Sequence, residues 1–321
     1  MYFFIFLFIV LFLFFSFYMF LPSSEPYYPI SKMEKKFFRG VLASRNYKNW
    51  ATNSLPLEYF LAGTEATVTT DYLSRHLVSP DCIWLRSSSN PQKNDVKTFL
   101  QVHQKLTRPF TLVTTDGDNS FPRDSGFEAL INNPLLVQWY TQNYDGPFGH
   151  PKVKPIPIGF DLHTIFDDSM PRGIECLARM LAIRSPVIKV GKSMTIYVDK
   201  MAASHPERAK VLQICKTIPA AYIAKSHVPR QDLFRAYGSH CFGVSPRGNG
   251  LDCHRTWEML FFGMIPIIKR STLDSLYVGL PVLLLDSYEE LPGLDLPAKY
   301  KELSHLLPVP LDVFKISHWI K

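Results

Sequence analysis

The chain has 321 residues and lacks several features that would assign it quickly. Its five cysteines, Cys82, Cys176, Cys215, Cys241 and Cys253, have no metal-ligand spacing and an odd count, so they read as small buried residues rather than as ligands or a disulfide framework. No Asn-X-Ser/Thr acceptor occurs, so no glycosylation signal marks exposure to a lumen. Outside the first 21 residues there is no internal repeat or low-complexity tract. Lys and Arg are scattered and no nucleic-acid module is present, which argues against nucleic acid as a partner; the net charge of +7 suits an anionic ligand or a membrane surface instead. Charge is missing altogether from Met1 to Leu21.

That uncharged opening is the first positive signal. It is Phe, Leu, Ile, Val, Tyr and Met almost throughout, and as a helix at about 1.5 Å per residue it spans a hydrocarbon core of about 30 Å. A cleaved signal peptide would need a basic start, a shorter apolar core and a small-residue cleavage site, and the segment has none of them. The expectation is a single retained transmembrane anchor over residues 1–21, then a stem over 22–53 carrying Pro22, Pro26 and Pro29. Lys32, Lys35, Lys36 and Arg39 follow the span and no basic residue precedes it, which by the positive-inside rule draws the body towards the cytosol.

Past the stem the pattern is α/β. Cys82 to Leu85 and Phe110 to Thr115 read as strands, with helix-like spacing from Val96 to Lys105 between them, and strand, helix, strand implies a parallel sheet. Val137 to Asn143 and Val153 to Gly159 read as further strands. The expected first domain covers 54–165. A second, over 172–290, holds strands at Ser193 to Val198, Cys241 to Val244, Ile265 to Ile268 and Pro281 to Leu285, with a helix over Glu207 to Thr217 entered through Pro206. Residues 291–321 read as surface helices and a tail. A hydrophobic content of 46% is ample for two cores.

The segment from Ser245 to Glu258 joins the Cys241 strand to a helix over His254 to Phe262, closed by Gly263. Gly248 and Gly250 would let the turn take positive φ and bring backbone N–H groups close to a ligand. The helix N-terminus favours an anion, and Arg247 and Arg255 can add charge-assisted bonds. Glu258 would then accept hydrogen bonds from a ribose diol. The same residues also admit an ordinary turn, with Arg255 and Glu258 as an i,i+3 ion pair on a solvated face.

Ser245 to Glu258, followed by Gly263-Met264-Ile265-Pro266-Ile267, resembles the donor-binding region of exostosin-like glycosyltransferases, a group of viral, algal and animal membrane-anchored sugar transferases. The similarity is specific over about 237–286 and looser over 111–163 and 204–208. It implies the GT-B type: two Rossmann-like domains facing a cleft after an N-terminal transmembrane helix, the second domain binding a nucleotide sugar with no essential divalent metal. On this resemblance Arg247, Gly248, Asn249, Gly250, Asp252, His254 and Arg255 hold the donor, and Arg208 faces its diphosphate from the domain's first loop. Arg255 also stabilises the leaving group. The implied acceptor is a glycan or glycoprotein, and the implied location is the Golgi or another secretory-pathway membrane, with a lumenal body.

Asp116-Gly117-Asp118 ends the Phe110 to Thr115 strand, where open α/β sheets place ligands. It reads as a turn, as the Asp-X-Asp clamp of a metal-dependent GT-A transferase, or as an acceptor-side carboxylate. Asp116 is the first choice for a general base, ahead of Asp118, Asp145, Asp161 and His163. A non-catalytic binding protein of the same fold is the remaining alternative.

Overall fold

The computed structural model describes residues 40–51, 55–61, 68–77, 80–88, 94–122, 126–147, 149–164 and 167–321. The expected anchor, and the expected stem up to residue 39, lie outside the described residues. Among the described residues no helix is long and apolar enough to cross a membrane. Residues 40–51 are part of the folded body rather than stem: Val41, Leu42 and Tyr47 are fully buried, and the 3-10 turn Ser44–Ala51 lies against the first sheet.

The architecture is α/β, with two parallel sheets. In the first, β1 (Cys82–Arg86), β2 (Phe110–Thr115), β3 (Leu136–Thr141) and β4 (Val153–Pro155) stand in chain order, with Ile83 opposite Leu112 and Leu112 opposite Trp139. Both faces are covered, so β1 and β2 are buried along nearly their whole length instead of alternating between core and solvent. Helix α1 (Asp95–Phe99) connects β1 to β2, and its Asp95 forms a buried ion pair with Arg86 at 2.9 Å.

Helix α2 (Gly173–Val187) leads into the second sheet, built from β5 (Ser193–Val198), β6 (Ala221–Ile223), β7 (His240–Val244), β8 (Ile265–Lys269) and β9 (Leu283–Leu285). The strand order is β6-β5-β7-β8-β9. Helix α3 (Pro206–Cys215) connects β5 to β6, α4 (Arg230–Ser239) connects β6 to β7, and α5 (His254–Phe261) connects β7 to β8. Because β6 lies on one side of β5 and β7 on the other, the winding reverses between β5 and β7.

One continuous apolar core runs from the first sheet across to Trp257 and Phe261 of α5; a second cluster fills the other side of the second sheet. Residues 311–321, expected to be a tail, fold back instead. Phe314 is fully buried, 5.4 Å from the ring of Phe160 and 5.2 Å from that of Phe261, and its carbonyl accepts from Leu42 N at 2.8 Å. Arg184 fastens this segment to α5 by donating to Phe261 O at 2.7 Å and to Val309 O at 2.8 Å.

Lys192 closes the far end of the same packing. Its Nζ donates to Gly238 O at 2.6 Å, and burial depresses its pKa from 10.5 to about 8. As pH falls, the unfolded chain takes up this proton before the folded one does. The stability contributed by the neutral amine is therefore complete above about 10.5, is lost as the pH drops to about 8, and is constant below that. In urea titrations at stepped pH, Lys192→Met should lack this component, so wild type should lose stability relative to the variant on going down through that window.

Candidate functional site

A cleft of about 530 Å³ opens where the carboxyl ends of the two sheets meet. Its lining follows strand ends: Asp118 after β2, Ile158 and Asp161 after β4, Asp199 and Lys200 after β5, and Gly248, Asn249, Gly250, Asp252 and Cys253 after β7. The β5 and β7 ends flank the reversal in winding, the position at which parallel open sheets bind ligands. Helix α5 starts at the cleft, with Cys253, His254 and Arg255 in the lining, and the N-cap side chain of Cys253 makes no capping bond.

The two glycines serve a different purpose from the one expected. Neither has a positive φ. A Cβ at Gly248 would lie 2.9 Å from Arg208 Nη2, and one at Gly250 would lie 2.8 Å from Asn143 Nδ2. The bare backbone lets two polar side chains pack flat against the loop.

Arg208 lies on the cleft as expected, donating to Arg247 O at 3.0 Å and to Ala202 O at 3.1 Å. Arg247 does not. It curls onto its own loop, donating to Asn249 O at 2.8 Å, and faces a separate depression of about 210 Å³ that also holds Lys269 and Arg270. Asn249 lines the cleft, with its Nδ2 3.5 Å from Asp118 Oδ2.

Arg255 donates to Asp199 Oδ2 at 2.8 Å, and Tyr237 OH donates to the same oxygen at 3.3 Å. Burial alone would lower the pKa of Arg255; the adjacent Asp199 carboxylate more than offsets this and holds it above the usual arginine value. Asp199 Oδ1 is buried and has no hydrogen-bond partner among the described residues. The i,i+3 pair of Arg255 with Glu258 does not form, because Glu258 Oε1 is held by Arg230 at 2.7 Å and accepts from Asp161 N at 3.4 Å. Its other oxygen, Oε2, has no hydrogen bond among the described residues. Arg230 also donates to Asp161 O.

Asp252 is a knot rather than an exposed ligand group. It is 4% exposed and accepts from Ile158 N at 2.7 Å, Cys253 N at 2.8 Å and Trp257 Nε1 at 2.9 Å. Burial lifts its pKa to about 6, with those donors opposing the rise. His254 Nδ1 is 2.7 Å from Gly159 O; a carbonyl can only accept, so Nδ1 carries the donated proton.

Asp116 is not in the lining. It has a φ of 60° and is buried, with Arg45 Nε 3.2 Å from its Oδ1. Asp118 faces the cleft, so the two carboxylates diverge and do not form a metal clamp. Asp145 is outside the lining as well. The ionisable groups that do converge are Asp161, His163 and His254. Asp161 is held well below the usual carboxylate range: burial would raise it, but His254, His163 and Arg230 together outweigh that.

The sequence reading missed Arg230 and Asp199. Asp199 carried a usable signal, a carboxylate directly after an apolar strand. Arg230 carried none, since its partner Glu258 is 28 residues away.

No protein-family model matches the chain, and a search of curated proteins likewise finds no match.

The Arg230–Glu258 pair has side chains only 4% and 8% exposed. Removing one partner strands a buried charge, so Arg230→Met should cost about 3–5 kcal/mol in chemical denaturation. Combining it with Glu258→Met should cost less than the single change, because no charge is then left uncompensated.

Proposed function

We propose that the protein is a glycosyltransferase that moves a sugar from a nucleotide donor to a hydroxyl acceptor. The observation that carries this reading is the distribution of charge along the cleft. Asp199 neutralises Arg255 and Glu258 neutralises Arg230, while Arg208 and Lys200 have no carboxylate partner among the described residues. Two uncompensated cations beside a helix N-terminus suit a pyrophosphate. The resemblance of the 237–286 region to exostosin-like enzymes supplies the sugar, and with it a GT-B arrangement of two facing Rossmann-like units.

In this reading Arg208, Lys200 and the first-turn N–H groups of α5 hold the diphosphate, with Arg255 fixed behind them. As the glycosidic bond breaks, its electron pair leaves on the diphosphate, and these groups stabilise the growing charge without having to reorganise. Glu258 Oε2 accepts from a hydroxyl of the ribose. Asp116 is turned towards Arg45, so the base role passes to Asp118, the cleft-lining carboxylate of the β2 loop. It takes the acceptor O–H proton as the acceptor oxygen bonds to the anomeric carbon. Residues 1–21 would hold this body to a membrane of the secretory pathway, with a glycan or glycoprotein as acceptor.

A thermal-shift panel of nucleotide sugars and nucleoside diphosphates on the full chain tests the reading, since a ligand specific to the folded state raises Tm. One donor class should raise Tm, Arg208→Ala should weaken it about tenfold or more, and Asp118→Asn should lower turnover about a hundredfold while leaving binding intact. A panel with no shifting member, or unchanged affinity in Arg208→Ala, would overturn it.

A further inference from the structure

We infer that Asp161, His163 and His254 form a binding site for a divalent transition cation on the wall of the same cleft. Each offers one ligand atom, and these atoms lie within 4.8 Å of one another. Around an ion with bonds of about 2.0–2.2 Å, ligand atoms stand roughly 3–4 Å apart, so small side-chain rotations close the site.

The outer contacts prepare the ligands. His254 gives its Nδ1 proton to Gly159 O at 2.7 Å, which fixes the ring and presents Nε2 as a lone-pair donor. Asp161 Oδ1 accepts from His163 N at 3.1 Å and Thr164 N at 3.0 Å, which sets the carboxylate plane and leaves Oδ2 without a hydrogen bond among the described residues. The His163 ring stands 5.8 Å from that of His254, with Nδ1 3.1 Å from Asp161 Oδ1.

Charge permits a cation here. The nearby guanidinium groups, Arg230 and Arg45, are each engaged by a carboxylate, Glu258 at 2.7 Å and Asp116 at 3.2 Å. Among the described residues no arginine bonds the Asp161 carboxylate oxygens; Arg230 meets its backbone carbonyl. Two imidazoles and one carboxylate suit zinc, cobalt, iron or nickel better than magnesium or calcium, which favour all-oxygen shells. Three protein ligands leave a coordination position open. Asp161 and His254 both line the cleft, so that position faces it and would take an oxygen of an anionic ligand. The site does not depend on the sugar-transfer reading, whose family resemblance implies no essential metal.

Titrating the metal-free full chain with Co²⁺ alone tests the site through the visible d–d absorption of a low-coordinate cobalt complex. One equivalent should bind and Zn²⁺ should displace it, following the usual order of affinities. His163→Ala and His254→Ala should each weaken binding about tenfold or more. His163 keeps 31% of its side chain exposed, so its variant is the one expected to retain the fold, and a circular dichroism melt checks that. The proposal is overturned if wild type shows no saturable Co²⁺ binding, or if folded His163→Ala binds as wild type does. Nucleotide binding measured with a chelator present reads the transferase proposal separately.

Discussion

The arrangement depends on one buried carboxylate. Asp252 sits in the loop after β7 and collects N–H groups from both parts of the chain: Ile158 beyond the first sheet, and Cys253 and Trp257 on its own side. Asn143 completes the tie. Its Oδ1 accepts from Asp252 N at 2.9 Å and its Nδ2 donates to Gly117 O at 3.2 Å, so the β2 turn, the end of β3 and the β7 loop are held in one hydrogen-bonded unit. Desolvation opposes the charge, and the donors that partly compensate fix its position, since moving the loop would strand a buried acceptor.

Around this knot the cleft is assembled from fixed parts. Arg230 bridges Glu258 to the backbone of Asp161, and His254 reaches across to Gly159, so α5 is bonded to the segment after β4 at two points. A ligand entering between the sheets meets groups already oriented by other groups, the condition under which buried dipoles and charges act most strongly.

Much of the scaffold could be read from residue order. Phe110–Thr115 and Ser193–Val198 have the strand limits that their apolar, β-branched runs suggest, and α5 begins at His254 as expected. Local chemistry sets those features, so a local reading recovers them. The site was less legible because its contacts are long-range: Asp199 with Arg255, Arg230 with Glu258, Asp116 with Arg45. Sequence placed Arg247 at the cleft by proximity to the motif, yet its guanidinium satisfies nearby carbonyls and faces the other way. The same limit explains the helices over 173–187 and 230–239, whose faces are defined by what they pack against.

The returning C-terminal segment sets an order of events during synthesis. Phe314 fills the space between Phe160 of the first part and Phe261 of the second, and residue 315 bridges to residue 41 near the start of the folded body. On the ribosome, therefore, Phe160 and the backbone at 41–42 wait for these partners until almost the whole body has emerged. A nascent chain of this design needs shielding for most of its translation, and a premature stop before residue 311 yields a sticky intermediate rather than a smaller working unit.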